Sequence, residues 1–288
     1  LTNTTFTSPY RGAGRPEATF AMERAIDTIA AKLGMEPAEV RRRNLIGPEQ
    51  MPYRTGMLDR RGLPQEYDSG DYPEMLARAV DMIDLPAVRE KQLSPRLDGR
   101  VLGVGFAMYL EMTGLGPFEG ARVDVMPSGR VRLYTGAPSQ GQGHRTTFAQ
   151  ILADALGVDI GDIDVMAGDT ATIPYGVGTI ASRALVTAGN ATRQAGELLH
   201  ERILDAAADV MESSRADLEM IGGKISVAGT PARSMSLAEL IRAVPKLIGG
   251  DGSDGLSETS YFQPPNYATA SGVHAVVVAV DPETGRVE

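Results

Sequence analysis

The chain contains no cysteine. Within its 288 residues this excludes disulfides, thiolate metal ligands, a cysteine nucleophile and cysteine-ligated iron–sulfur clusters. Histidine is scarce: His144, His200 and His274 stand far apart in sequence, which speaks against a histidine-rich metal site. Positive charge is short as well. With 28 Lys and Arg against 37 Asp and Glu, the net charge is −9, so no broad basic surface invites nucleic acid or anionic lipid. No apolar run approaches the roughly 18 residues of a membrane helix. No secretory signal is visible in the polar start Leu1-Thr-Asn-Thr-Thr. A cytoplasmic protein without nucleic-acid or membrane partners is the expectation. The chain starts on leucine and stops inside a strand-like segment, DPETGRVE, so a piece of a longer protein is also expected.

What is present suits a globular protein. Hydrophobic residues make up 42% and charged residues 23% of a chain long enough for one large or two ordinary domains. Pro16 to Leu33 has helical spacing at Phe20, Met22, Ala25, Ile26, Ile29, Ala30 and Leu33, with Gly34 as the stop. A short helix is expected over 37–45, a long surface loop over 46–71, and helices over 72–83 and 86–92. Strands are expected over 101–113 and 121–137, the latter a hairpin turning at Pro127-Ser-Gly-Arg130. Then come a helix over 144–156, a strand near 162–168, a long helix over 187–212 and a strand at 224–229. A helix capped by Ser236 with Glu239 covers 236–244. A flexible loop spans 249–255, and the chain ends as strand and turn. The 13 methionines fall mostly at core-like positions. The mixture lacks a strict βαβ rhythm, which predicts an α+β fold. The expected division is a mostly helical part, 1–97, and an α+β part, 98–288, that includes the returning C-terminal strand.

Three glycine-rich segments are the candidates for chemistry. Arg11-Gly-Ala-Gly-Arg15 precedes the first helix but lacks the third glycine and the preceding strand of a dinucleotide fingerprint. Alone it is a flexible entry to a helix, or a loop whose amides approach an anion or cofactor. Ser139 to Gly157 places two Gly-Gln units before a helix. Glutamine amides offer donors and acceptors, which suits a phosphate or a pterin-like heterocycle better than a metal. The bland account is a polar strand-to-helix loop, with His144 a helix-start residue. In 168–191, Gly176, Gly178, Thr179, Ser182 and Arg183 precede the long helix. They suit an anion, or else form a turn whose Arg183 makes a surface salt bridge. Asp59, Asp68, Asp71, Glu111 and Glu119 offer material for a carboxylate pair, but nothing in their spacing selects one, and they are read as solvated loop charges.

Taken together, TNTTFTSPYRGAGRPEATFAMERAIDTIAAKLGMEPAEVRRRNLI, GQGHRTTFAQILADALGV, GDTATIPYGVGTIASR and FQPPNYATASGVHAVVVAVDPETGRVE, in that order, resemble the molybdenum-cofactor subunit of the xanthine dehydrogenase and aldehyde oxidase family. The likeness is to the carbon monoxide dehydrogenase-like group whose loop reads YRGAGR without a cysteine. The resemblance implies a molybdenum-hydroxylase type of cofactor-binding domain. It implies molybdopterin cytosine dinucleotide with molybdenum in the full-length parent, and hydroxylation of an aldehyde or aromatic heterocycle with oxygen from water. It implies iron–sulfur and flavin subunits or domains as partners, a small-molecule substrate and a homo-oligomeric parent. No direct protein ligand to the metal is implied.

Carried over by position, Arg11 and Ala13 lie on the substrate-facing loop, with Arg11 and Gly12 near the cofactor. Gln140, Gly141, Gln142, Gly143 and His144, and then Ala181, Ser182 and Arg183, are the remaining cofactor-binding candidates. Three departures qualify the resemblance. A copper–thiolate bridge needs a thiol and the YRGAGR loop has none, which argues against CO oxidation. Ala184 lacks the hydroxyl of a serine that many relatives carry. The family's FGGK-type loop and its Gly-Val-Gly-Glu segment with the glutamate base are both missing. The isolated chain is therefore expected to lack turnover and the cofactor. The alternative is a non-catalytic binding or assembly module, or a half-subunit needing a separately encoded partner. Ala13 stands where xanthine-oxidising relatives carry a phenylalanine, which argues against a purine.

Overall fold

The structure, a computed structural model, describes residues 3–59, 62–93, 99–248 and 255–288. The expected 97/98 boundary, and the loop over 249–255 except for Gly255, lie outside those residues.

Helix α1 (Arg15–Leu33) starts with Pro16 in its first turn and ends at Gly34. Its apolar residues do not form the inward stripe that their spacing predicts. Phe20, Met22, Ile29 and Leu33 are exposed, whereas Glu23 and Ala30 are buried. The reason is a polar anchor from α2 (Pro37–Asn44). The buried Arg41 guanidinium donates to Glu23 Oε2 at 2.6 Å, to Asp27 Oδ1 at 2.9 Å and to the Phe106 carbonyl at 3.3 Å. That anchor turns the charged side of α1 inward.

The expected loop over 46–71 contains an antiparallel hairpin, β1 (Tyr53–Leu58) and β2 (Pro64–Tyr67). Its register sets Tyr53 opposite Tyr67, and their rings stack at 6.3 Å. Helix α3 (Tyr72–Met82) is capped by Asp71, which accepts from Glu74 N, and α4 (Leu85–Leu93) follows. Strand β3 (Val101–Thr113) leads to the hairpin β4 (Glu119–Val125) and β5 (Val131–Thr135), which turns at 126–130 as expected.

Helix α5 (His144–Leu156) carries the chain to β6 (Ile163–Ala167), which runs parallel to β5. One βαβ crossover thus sits inside an otherwise α+β fold. The long helix opens with a π-turn at Leu185–Gly189 and continues as α6 (Asn190–Met211). Strands β7 (Leu218–Ile221), β8 (Lys224–Val227) and β9 (Thr230–Ser236) form an antiparallel meander. Helix α7 (Leu237–Ala243) has the expected Ser236–Glu239 capping box. Strand β10 (Ser257–Phe262) pairs with β4, and β11 (Ala268–Val280) with β3.

The main core packs α5 and α6 against the sheet β10-β4-β5-β6. Val123, Val131, Leu133, Phe148, Leu152, Leu156, Leu199 and Ile203 are almost wholly excluded from water. Methionine contributes less than expected: Met211 and Met220 are buried, but Met22, Met57, Met82 and Met166 are exposed.

Residues 1–112 with 268–288 make one compact unit and 113–267 another. This differs from the expected 1–97 and 98–288. Pairing of β11 with β3 places both in the first unit. Among the described residues, no helix is long and apolar enough to cross a membrane.

Candidate functional site

Two of the three candidate segments meet for a topological reason. Residues 136–143 follow β5 and residues 168–184 follow β6. Because β5 and β6 are parallel, both loops leave the same edge of the sheet, the carboxyl end where open α/β sheets bind ligands. Gly168 N donates to Thr135 O at 3.0 Å, and Thr179 Oγ1 donates to Pro138 O at 2.7 Å. The loops cross at Gly136 and Gly176, where a Cβ on Gly136 would lie 2.8 Å from Gly176 Cα. Only glycine allows that approach.

Gln140, Gly141, Gln142 and Gly143 are exposed. Gly141 and Gly143 have φ of 109° and 77°, which folds the loop back before α5. Gln140 N donates to the Gln142 side-chain oxygen. The amides of His144 and Arg145 open α5 and have no intrahelical carbonyl to bond, at the positive end of the helix. The His144 side chain is not presented to a ligand. It is buried, with Nδ1 3.0 Å from Ala137 O and its ring 4.8 Å from Phe148. Its place among the cofactor-binding side chains is corrected to a packing role, although its amide remains at the helix start.

Ala181 and Ser182 are exposed and left-handed, with φ of 49° and 53°. Arg183, next in line, is fully buried. Its five N–H donors meet five acceptors: Leu115 O at 2.8 Å, Gly178 O at 2.9 Å, Phe118 O at 3.3 Å, Pro117 O and Glu119 Oε1. The guanidinium therefore makes neither a surface salt bridge nor a contact free for a cofactor. Glu119, expected to be solvated, is fully buried too. Its Oε1 also accepts from Val177 N at 2.7 Å and Gly178 N at 2.8 Å. Among the described residues its Oε2 has no hydrogen-bond partner, and it sits beside Gly136 and Gly176.

No local sequence signal announces this pair. Arg183 has no acidic residue within four positions, and Glu119 lies 64 positions upstream. The other carboxylates have partners of their own. Asp68 Oδ1 accepts from Thr269 N, Asp59 Oδ1 accepts from Leu63 N, Asp71 caps α3, and Glu111 pairs with Arg15 at 2.9 Å.

Arg11, Gly12 and Ala13 belong to the first unit. They form a tight turn in which Ala13 N donates to Tyr10 O at 2.7 Å and Arg15 N to Gly12 O at 2.9 Å. Ala13 has φ of 48°. Non-glycine residues with positive φ are uncommon and cost about 1–3 kcal/mol each when held there. Among the described residues they are Ala13, Ala181, Ser182, Asp84 and Glu212. The last two sit at helix ends. The other three fall in the candidate loops.

A cavity of about 250 Å³ adjoins the crossing and is lined by Gly136, Pro138, Gly168, Gly176, Val177 and Gly178, among others. A larger one, about 530 Å³, lies along α6 near Gln194, His200 and Ser260 and holds none of the candidate residues. Among the described residues, no cluster of His, Asp or Glu could hold a metal ion.

Two family models, each described as a molybdopterin cofactor-binding domain, match residues 1–45 and 78–288. The chain is 34% identical over 284 residues to the carbon monoxide dehydrogenase large chain of Hydrogenophaga pseudoflava, covering 94% of this chain and 35% of that protein. It is 36% identical over 287 residues to the 6-hydroxypseudooxynicotine dehydrogenase complex subunit gamma of Paenarthrobacter nicotinovorans, covering 99% and 36%. Its structure is similar to quinoline 2-oxidoreductase from Pseudomonas putida 86, with a TM-score of 0.81 at 33% identity, covering 97% and 36%. The chain thus spans just over a third of the length of each of these relatives.

Proposed function

The chain belongs to the family of molybdopterin cofactor-binding domains, and from that premise we propose that it forms part of the large subunit of a molybdenum hydroxylase. The observation that carries this is the concentration of left-handed non-glycine backbone at Ala13, Ala181 and Ser182 in the glycine-rich loops. Held strain of this kind marks ligand clamps.

The residues present fit the group. Gln140 and Gln142 offer amide donors, Ser182 a hydroxyl, and the start of α5 free amides. Neither 139–144 nor 176–183 contains a carboxylate to repel a phosphate. A preorganised ring of donors suits a multiply anionic pterin phosphate. Gln142, and Ala181 with Ser182, would contact its molybdenum end and its phosphates. In the first unit, the backbone of Arg11 and Gly12 is a further candidate for cofactor contact, and Ala13 for the substrate-facing position. The cofactor, molybdopterin cytosine dinucleotide, supplies the redox chemistry by which an aldehyde or N-heterocycle is oxidised with oxygen from water.

The whole protein would pass electrons to iron–sulfur and flavin subunits, as a homo-oligomeric assembly in the cytoplasm. The 288-residue chain by itself would carry neither molybdenum nor turnover. Full-length protein made in a host that matures this cofactor should contain stoichiometric molybdenum. It should oxidise aldehydes or N-heterocycles with an artificial electron acceptor. A molybdenum-free preparation sinks the proposal.

A further inference from the structure

Ala181 and Ser182 face solvent in conformations that a free chain abandons. Something must hold them. They lie in a short span, residues 179–182, anchored at both ends by the same carboxylate. On one side Val177 N and Gly178 N donate to Glu119 Oε1. On the other, the Arg183 guanidinium is paired to that oxygen. The carboxylate stands at the start of β4, inside the main sheet. Arg183 then ties the span to the carbonyls of Leu115, Pro117 and Phe118. Gly114 N adds a bond to Ser182 O at 3.2 Å.

Stability alone is a weak reason for such a pair, because packed apolar residues often serve a buried site as well or better. What an apolar pair cannot do is accept two loop amides and fork to four carbonyls. The arrangement is directional. We propose that Glu119 and Arg183 are positioning residues that impose the left-handed backbone of Ala181 and Ser182 and so aim them at the cofactor. The inference rests on the function proposed above. Neither residue touches the cofactor, since both side chains are fully buried.

The test uses the full-length protein carrying Arg183→Lys. Lysine keeps the charge but has three donors for five acceptors. Glu119→Gln, which removes only the charge, carries the same test should Arg183→Lys fail to fold. Glu23→Gln, which breaks a second buried ion pair, the one at Arg41, is the control. Hydrogen exchange is followed at Val177 and Gly178, and molybdenum and cytidine monophosphate are counted per subunit.

The expected result is exchange at least tenfold faster at those two amides, with α5 and α6 unchanged, and cofactor content at least halved. The control leaves both readouts at the wild-type level. Unchanged loop exchange, acceleration spread evenly over the second unit, or loosened amides with full cofactor content would each overturn the proposal. A wild type that binds no molybdenum defeats the functional reading instead, while the exchange data still decide whether the pair holds the loop.

Discussion

Arg183→Leu leaves the Glu119 carboxylate buried with two amide donors and no counter-charge. Removing one partner of a fully desolvated pair costs about 3–5 kcal/mol, because the other charge stays uncompensated. Both side chains are 0% exposed, so no screening discount applies. The second unit spans Thr113–Tyr267. For a domain of that size each kcal/mol shifts the melting temperature by about 2–4 °C, so the transition should fall by roughly 6–20 °C. Circular dichroism melts and urea titrations measure this, and the urea m value should hold if only stability has changed. The exposed pair Arg78–Glu74 provides the contrast. Arg78→Ala should leave the melt where it is. The double variant Glu119→Leu/Arg183→Leu should recover part of the loss, since no charge remains buried, but not all, since Val177 N and Gly178 N lose their acceptor. A fall of less than about 2 °C for Arg183→Leu, the size expected of a solvent-exposed pair, would refute the reasoning.

Gly136→Ala should destabilise the second unit by about 1–3 kcal/mol, because its Cβ would meet backbone at Gly176 and must push the loops apart; an unchanged urea midpoint counts against the close crossing. Arg42 and Arg43 hold the Glu39 carboxyl at about 2, below its ordinary 4.5. Its contribution to stability is thus present above pH 4.5 and lost as pH falls toward 2, and Glu39→Gln should remove that part of the acid dependence. A carboxyl titrating near 4.5 by NMR contradicts this. Phe20, Met22, Ile29 and Leu33 expose apolar surface on one helix. The 288-residue chain should therefore associate as concentration rises, and Phe20→Ser/Met22→Ser should weaken it. Light scattering that finds a monomer at every concentration, with or without the substitutions, disproves it.

The amino-acid sequence by itself determined what depends on local chemistry. Pro16 and Gly34 bracketed α1, Ser236 and Glu239 announced the cap of α7, and Pro127-Ser-Gly-Arg130 marked the hairpin turn. The glycine-rich loops stood out because glycine marks places where backbone must bend or come close. Tertiary structure decided the rest. Helical spacing says that Met22, Ile29 and Leu33 share a face of α1 but not which way that face looks; Arg41, through Glu23 and Asp27, turned it outward. The hairpin over 53–67 was hidden because its register, not its composition, stacks Tyr53 on Tyr67. Glu119 looked like a solvated loop charge, and Arg183 like an anion ligand or a surface ion pair, because burial is a property of the fold, and a partner 64 positions away leaves no mark on its neighbours. The parallel pairing of β5 with β6 brought two loops, far apart in the chain, to one edge of a sheet. Strand pairing acts across any sequence distance, so only the folded chain could show that the loops meet at Pro138 and Thr179.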